Sequence, residues 1–158
     1  MSEQAPTRES LRAALSEHRT ALHSIVDGRG EAALQAIQVS EQWNALDQLR
    51  HMLVWEEITV QALKNWQQST AVNVGEHFDA WNEAQVQALS NLDMQAVMQR
   101  LDAAYGYLAE QLATNSDAEL AIERMAPWGH MATRLNAIAV FYHDAEHLQE
   151  LRNILEAH

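Results

Sequence analysis

The sequence predicts an all-α protein, a four-helix bundle, from its composition and from the spacing of its apolar residues. The 158 residues include only five glycines and two prolines, whereas alanine, leucine, glutamine and glutamate are abundant, which is typical of helical chains. Four long segments repeat apolar residues at helical spacing, and stretches rich in turn residues separate them. Since a chain of this length forms one core, we expect a single domain over residues 1–158.

Two long helices are predicted in the first half of the chain. The first starts behind Thr7, which is suited to capping a helix, and ends at Val26 before a glycine-rich turn. A short helical piece over 31–37 follows it. The second long helix is predicted over 40–68, where no glycine or proline interrupts the apolar spacing.

The second half is predicted to add two more long helical segments. The third segment covers 79–113 and bends near Ser90, which begins an N-capping pattern with Asp93 three positions later. A short helix over 118–124 and a Pro-Trp-Gly turn come next. The fourth long helix is predicted over 131–156, and the four segments together make the bundle.

Charge and cysteine content exclude several classes of function. The formal net charge is −12, so we expect neither nucleic acid nor an anionic membrane surface as a partner, because both attract basic patches. The chain has no cysteine, which excludes disulfides, thiolate ligands and a cysteine nucleophile. Neither a signal peptide nor an apolar stretch of transmembrane length is visible, and the cytoplasm is therefore the expected compartment.

Two histidines near the C-terminus are candidate metal ligands. His143 and His147 are four positions apart in the fourth helix, so their side chains lie one turn apart on the same face. That face is otherwise mostly apolar, and a histidine there needs a hydrogen bond, a water or a metal for its ring nitrogens. The chain has eight histidines, however, and such a pair also arises readily by chance. The pair alone does not distinguish metal binding from accident.

A third histidine on another helix favours the metal. His51 of the second helix shares an apolar, inward face with Trp55 and Ile58. Three protein ligands with one position left open are typical of catalytic metal sites. Asp47, one turn before His51, is the weak candidate for a catalytic base or for a group that orients the ligand. Trp55 is either a core residue or a wall of the pocket beside the metal.

Three motifs resemble those of the DinB-like superfamily, the DNA-damage-inducible or YfiT-like proteins. The stretch WNALDQLRHMLVWE, 43–56, resembles the second-helix motif of that family, in which a tryptophan precedes a ligand histidine and Trp-Glu often follows it. The stretch HDAEHLQEL, 143–151, is similar to the fourth-helix His-x-x-x-His motif, and DAWN, 79–82, to the start of the third helix. The likeness covers nearly the whole chain in order and spacing.

The resemblance implies a four-helix bundle with an unusual connection order and a divalent metal held by His51, His143 and His147. Characterised branches of the family include transferases and isomerases that use low-molecular-weight thiols such as bacillithiol or mycothiol, and other members are regarded as metal-dependent hydrolases. Many members have no known activity. The chain shows no counterpart of the extra C-terminal domain of the mycothiol-dependent isomerases, so that activity is not expected.

We therefore interpret the chain as a metal-dependent enzyme that acts on a small molecule, either as a thiol transferase or as a hydrolase. A metal lowers the pKa of a bound thiol or water, so that either becomes a nucleophile at neutral pH. As bases, Glu56 and Asp144 are disfavoured because both point away from the ligand face. The alternative function is a non-catalytic bundle that binds or sequesters a metal or a small ligand. Zinc, nickel, iron and manganese all stay open, since imidazole suits several of them.

The second and fourth helices are also apolar on the face opposite the histidines. On the fourth helix this face comprises Ala137, Ile138, Phe141, Ala145, Leu148 and Leu155. A helix that is apolar nearly all round is either central in a large core or covered by a partner. We expect a homodimer packed through these helices. The alternative is cover from the third helical region and from the 114–129 segment of the same chain.

Overall fold

Helices make up most of the structure, which confirms the predicted all-α class. The computed structural model describes residues 4–157; residues 1–3 and 158, which the predicted domain includes, lie outside it. The helices are α1 (Arg8–Val26), α2 (Glu31–Ala36), α3 (Ala45–Lys64), α4 (Phe78–Ala88), α5 (Met94–Thr114), α6 (Asp117–Leu120), α7 (Arg134–Ile138) and α8 (Phe141–Glu156). The two short strands are β1 (Glu123–Met125) and β2 (Met131–Thr133). Among the described residues, no helix is both long enough and apolar enough to cross a membrane.

Reciprocal capping bonds set the starts of two long helices. Thr7 accepts a hydrogen bond from the Ser10 N–H at 3.1 Å, and the Thr7 N–H donates to the Ser10 hydroxyl at 2.9 Å. Asn44 and Asp47 form the same kind of pair before α3. Each pair satisfies N–H groups that have no partner inside the helix. The predicted bounds of α1 are confirmed, whereas α3 starts at Ala45 instead of residue 40 because Asn44 caps it.

The four longer helices in the described part, α1, α3, α5 and α8, pack side by side in a ring. α1 and α3 each contact both α5 and α8, so α1 lies diagonally across from α3. Their inward faces form one apolar core that includes Leu22, Leu49, Leu101 and Leu148. As a consequence, α3 and α8 are neighbours in space although they are far apart in the chain. This pairing places the histidines of one helix beside those of the other.

The predicted third segment is two helices rather than one bent helix, with residues 89–93 between them. Asp93, not Ser90, caps α5, because its Oδ1 accepts a hydrogen bond from the Ala96 N–H at 2.8 Å. The carbonyl of Ser90 instead accepts a hydrogen bond from the buried Arg50 guanidinium at 3.1 Å. The expected bend is therefore a break in the helix, and Arg50 ties it to α3.

A β-hairpin corrects two predictions in the last third of the chain. β1 and β2 pair antiparallel, with Glu123 opposite Thr133. The start of the helix predicted over 131–156 is therefore a strand, and the helix predicted over 118–124 ends with α6 at Leu120. Pairing between strands joined by a tight turn overrides the helical preference of the individual residues, since strand propensity depends strongly on context.

A break also divides the predicted fourth helix. Thr133 caps α7, since its Oγ1 accepts a hydrogen bond from the Asn136 N–H at 3.0 Å. Ala139 and Val140 then lead into α8, which starts without a side-chain cap. The junction of α7 and α8 consequently lies next to the first turn of α8, where the first of the α8 histidines is found.

Most residues of the apolar faces that suggest a homodimer are buried within one chain, whereas Ala145 and Leu155 of α8 are half-buried. The exposed fraction is 3% or less for Ala137, Ile138, Phe141 and Leu148. It is 1% or less for Leu46, Leu49, Leu53 and Leu63 of α3. The buried residues of these faces need no second copy to exclude water from them, and the homodimer stays a prediction.

Candidate metal centre

Three imidazoles converge where α3 meets α8. His51 comes from the second turn of α3, and His143 and His147 come from the first two turns of α8. One ring nitrogen of each histidine lies within 4.8 Å of a ring nitrogen of both others. The Nε2 atoms of His143 and His147 are 3.0 Å apart. The structure thus brings together the three histidines that the sequence predicts as ligands.

The donor set fits a divalent transition metal. Two nitrogens bound at about 2.1 Å to one ion lie about 3.0 to 3.4 Å apart when their angle is between a right angle and a tetrahedral one. The Nε2 atoms of His143 and His147 already have that spacing. The Nδ1 atom of His51 is buried and has no hydrogen-bond partner among the described residues, which is costly unless something binds there. Three imidazole ligands would leave at least one coordination position open.

A carboxylate on the next turn orients His147, whereas the corresponding carboxylate beside His143 lies beyond hydrogen-bond distance. The Nδ1 atom of His147 lies 3.3 Å from Oε2 of Glu150. The Nδ1 atom of His143 lies 3.9 Å from Oε2 of Glu146. A carboxylate beside one ring nitrogen favours the tautomer that leaves the other nitrogen free for a metal. Nε2 is therefore the ligand atom expected on His147, and its distance of 3.0 Å from Nε2 of His143 makes Nε2 the expected ligand atom on that histidine as well.

Burial keeps the inner histidine neutral. Burial, and after it the proximity of His147 and His143, lowers the pKa of His51 from 6.5 to about 3. The pKa of His143 is also lowered, first by burial and then by His147. Trp43 packs against His51 with 4.9 Å between the ring centroids, which shields that imidazole from water. At pH 7 His51 is the neutral imidazole that binds metals.

Asp47, the predicted weak candidate for a base, is engaged away from the histidines. Its Oδ2 accepts a hydrogen bond from the Asn44 N–H at 3.3 Å, and its Oδ1 accepts one from Arg50 at 2.9 Å. These bonds stabilise the start of α3. The geometry therefore does not favour a catalytic role for Asp47, and that role stays a prediction.

A cavity of about 500 Å³ opens beside the histidines. His51 and His143 line one part of it. The other lining residues are Trp55, Phe78, Asp79, Asn82, Trp128, Asn136, Ala139 and Val140. The cavity lies between α3, α4, the β1–β2 turn and the junction of α7 and α8. Trp55, for which the sequence leaves both a core position and a wall position open, is buried and also lines this cavity.

Helical spacing places Asn136 on the face of His143, but it does not identify three other wall residues, Phe78, Asn82 and Trp128. Trp128 reaches the cavity from the β1–β2 turn, where Gly129 has a φ of 95° that favours glycine. Asn136 reaches it from α7, beyond the break in the predicted fourth helix. The only sequence signal for the other three residues is the DAWN stretch, which contains Asn82.

One wall of the cavity is held by aromatic packing and a hydrogen bond. The rings of Trp55 and Phe78 are nearly parallel, with 17° between their planes and 5.9 Å between their centroids. Trp81 packs against Trp55 at a centroid distance of 5.3 Å. The indole N–H of Trp55 donates to Oδ1 of Asn82 at 3.0 Å. This wall joins α4 to α3 and has a defined orientation.

Glu56 and Asp144 lie in a second buried cluster, 0% and 1% exposed respectively, and neither lines the cavity. Tyr105 donates a hydrogen bond to Oδ2 of Asp144 at 2.6 Å, and its hydroxyl lies 2.9 Å from Nε2 of His18. Burial, and then the neighbouring Asp144, raises the pKa of Glu56 well above its ordinary value. Burial raises the pKa of Asp144 from 3.8 to about 7. Neither carboxyl is on the histidine face, as the helical wheel predicts, and the structure buries both in the core.

Comparison with known proteins agrees with this fold. A family model described as the DinB superfamily matches residues 14–151. A crystal structure of a Streptococcus pneumoniae protein, from a structural genomics consortium, is similar with a TM-score of 0.76 and 11% sequence identity, over 98% of this chain and 93% of that chain. At this identity the similarity shows the fold alone. No curated protein matches the chain.

Proposed function

Since the chain belongs to the DinB superfamily, we propose that it is a metal-dependent enzyme that acts on a small molecule at His51, His143 and His147. The observation that carries this proposal is the convergence of the three imidazoles within 4.8 Å beside a cavity of about 500 Å³. A cavity of that size suits a small organic molecule. Two of the three histidines also line the cavity, so the metal site and the substrate site adjoin.

The side chains around the metal centre hold the reacting groups in place and shield them from water. A divalent ion held there would supply Lewis-acid chemistry, which lowers the pKa of a coordinated water or thiol so that either becomes a nucleophile at neutral pH. Glu150 orients His147, and Trp43 packs on His51, so their ring nitrogens stay close together. The apolar walls exclude water from the substrate, which strengthens electrostatic interactions inside the cavity.

Hydrolysis and thiol transfer are the two reactions that this arrangement supports. In hydrolysis the nucleophile is water, whereas thiol transfer needs a low-molecular-weight thiol as a second substrate. The thiol must come from outside, since the chain has no cysteine.

A non-catalytic role in metal or small-ligand sequestration is the second candidate. Among the residues that line the cavity, Asp79 is the one carboxylate, and it is exposed on α4. Asp47 is bonded elsewhere, and Glu56 and Asp144 are buried in the core. A general base must lie within hydrogen-bond reach of the proton that it removes. The absence of a well-placed base among these residues is the observation that keeps the binding role open.

Metal analysis of the purified protein tests the centre. We expect stoichiometric divalent metal in the wild type and its loss in both His51→Ala and His143→Ala, because α3 and α8 each supply part of one site. His130→Ala, which replaces an exposed histidine outside the cluster, is the matched control and should keep the metal. Metal retained by His51→Ala would show that the helices do not share one ion. A wild type that neither contains nor takes up metal would overturn the proposal.

Turnover assays separate the candidate functions. The metal-loaded protein is assayed with a panel of small esters and amides, and then with electrophiles in the presence and absence of thiols. Hydrolysis that is lost in His143→Ala supports a hydrolase, and thiol-dependent consumption of the electrophile supports a transferase. Ligand binding without turnover in either assay supports the non-catalytic role.

The proposed setting is the cytoplasm, with small molecules as partners and with the chain as a homodimer. Nucleic acid is not a proposed partner, because the net charge is −12. Light scattering at several protein concentrations tests the oligomeric state, and a monomer mass throughout would contradict the homodimer.

A further inference from the structure

The cavity beside the histidines is apolar and, apart from the metal ligands, carries only negative charge. Its apolar lining consists of three aromatic and two aliphatic side chains, Trp55, Phe78, Trp128, Ala139 and Val140. Its lining residues include no lysine or arginine, and Asp79 is the one acidic residue among them. A ligand that enters this cavity therefore meets aromatic faces and a carboxylate, with no side-chain cation to pair with.

Two arginines on the helices beside the cavity, Arg50 and Arg134, are engaged elsewhere. Arg50 of α3 is buried and donates to Asp47, to the Ser90 carbonyl and to the Leu92 carbonyl at 2.9, 3.1 and 2.7 Å. Arg134 of α7 donates to the side chain of Gln111. Neither guanidinium is positioned to pair with an anionic ligand in the cavity.

Two uncharged amides supply the other polar groups of the cavity lining. Oδ1 of Asn82 accepts the indole N–H of Trp55 at 3.0 Å, so its Nδ2 group is what remains to donate to a ligand. Asn136 is exposed at the start of the α7–α8 junction and also lines the cavity. These amides suit hydroxyl, carbonyl or amine groups, which form hydrogen bonds without a charged partner.

We propose that the cavity binds a small molecule with an aromatic body and an uncharged or cationic substituent, and that its walls, considered apart from the metal, discriminate against carboxylates. This inference rests on the proposed function and names its substrate class. Aromatic rings pack favourably against Trp55, Phe78 and Trp128, and the same ring faces and Asp79 attract a cation. A carboxylate in the cavity loses its water and gains no cationic side chain.

Three probes that share a phenyl ring test the preference: phenethylamine, phenethyl alcohol and hydrocinnamate. Calorimetric titrations use the full chain as purified and after treatment with EDTA. In the chelated protein we expect the amine and the alcohol to bind and the carboxylate to bind at least about tenfold more weakly. Hydrocinnamate that binds the chelated protein as tightly as the amine overturns the inference. Hydrocinnamate that binds only the untreated protein reports direct metal coordination, and the preference of the walls then stands.

Variants of the walls identify the side chains responsible. Trp128→Ala is expected to weaken the binding of all three probes about fivefold to tenfold. Trp128→Leu should keep part of the affinity that Trp128→Ala loses. Asp79→Asn should weaken the amine alone, by about twofold to threefold, because Asp79 is exposed. Tyr142→Ala, an exposed aromatic on α8 outside the cavity, is the control and should change none of them.

Two outcomes contradict the assignment: unchanged probe binding in a folded Trp128→Ala, or equal effects of Asp79→Asn on the amine and the alcohol. The chelated protein keeps this test separate from the proposed function. A protein that binds no metal can still bind the aromatic probes, and a metal-binding protein can reject them.

Discussion

α3 and α8 carry two clusters of ionisable side chains on different faces, one beside a cavity and one in the core. His51 and His143 line the cavity, and His147 completes their cluster. Glu56 and Asp144 are fully buried between the helices. Asp144 follows His143 directly in the sequence, yet the His143 side chain lies beside the cavity and the Asp144 side chain is enclosed in the core.

Burial favours the uncharged form in both clusters, but it does so with opposite effects on pKa. It lowers the pKa of His51 to about 3 and raises the pKa of Asp144 to about 7. A neutral imidazole keeps a lone pair for a metal, and it lies beside a cavity that a ligand can enter. The carboxyl is enclosed, with Tyr105 as its hydrogen-bond donor. Access to a ligand, rather than burial itself, separates the candidate site from the structural cluster.

Replacing each of two adjacent residues of α8 tests this contrast most strongly. His143→Ala should weaken metal binding more than about 100-fold, because loss of a direct ligand exceeds loss of an orienting group. Its side chain is half exposed, so the metal-free stability should change by less than about 1 kcal/mol. Asp144→Ala should lower the free energy of unfolding by about 2–4 kcal/mol, since Tyr105 loses an acceptor in the core.

Metal titration and urea unfolding in EDTA measure the two effects of this pair of variants. Equal losses of stability in the two variants would contradict the separation of the clusters. Loss of the metal from a folded Asp144→Ala would contradict it as well.

The pH dependence of stability tests the carboxyl cluster. Because the pKa values of Glu56 and Asp144 are raised in the fold, the folded chain keeps protons that the unfolded chain releases above about pH 4. The contribution of these retained protons to folding stability is present below about pH 4 and is lost as the pH rises through about 7. Relative to Glu56→Gln, whose amide can donate to Asp144, the wild type should lose about 2 kcal/mol between about pH 5 and pH 7. Urea unfolding in EDTA measures the free energy of unfolding of both proteins. The prediction is contradicted if the wild type gains stability relative to Glu56→Gln as the pH rises.

His18 is expected to show the opposite trend at lower pH. Burial lowers its pKa from 6.5 to about 4, so the unfolded chain takes up a proton that the folded chain excludes. The contribution of neutral His18 to folding stability is present above about pH 6.5 and is lost as the pH falls through about 4. Relative to His18→Gln, which keeps a partner for Tyr105, the wild type should lose about 1.5 kcal/mol between about pH 6 and pH 4.5. Thermal or urea unfolding follows the difference, and parallel curves for the two proteins would show that His18 is not responsible.

The smallest effect is expected from a residue that only orients a ligand. Glu150→Gln should weaken metal binding by about tenfold or less, since Glu150 is exposed and its Oε2 lies 3.3 Å from Nδ1 of His147. Glu156→Gln, at the exposed end of α8, is the matched control and should leave affinity unchanged. Competition with a chelator measures both. Equal metal affinities in the two variants would show that Glu150 does not orient His147.

Local patterns predict the helices and the candidate ligands well, but not the places where chain direction changes. His143 and His147 share a face because of the helical period, which acts over a single turn. The start of α5 is different, because Asp93, three residues after Ser90, can itself cap a helix and is the residue that does so. The contact that decides between them is the hydrogen bond from Arg50 to the Ser90 carbonyl, and these two residues are far apart in the chain.

The sequence by itself determines the all-α class, the apolar faces of the long helices and the three histidines that lie on such faces of two helices. These features follow from local periodicity. Only the tertiary structure decides that α3 and α8 are neighbours, that their imidazoles converge within 4.8 Å, and that Trp128 and Asn136 complete a cavity beside them. It also decides that Glu56 meets Asp144 in the core. The physical reason is that strand pairing, burial and contact between ionisable groups act between residues distant in the chain. The spacing of residues along the sequence does not encode the energies of these interactions.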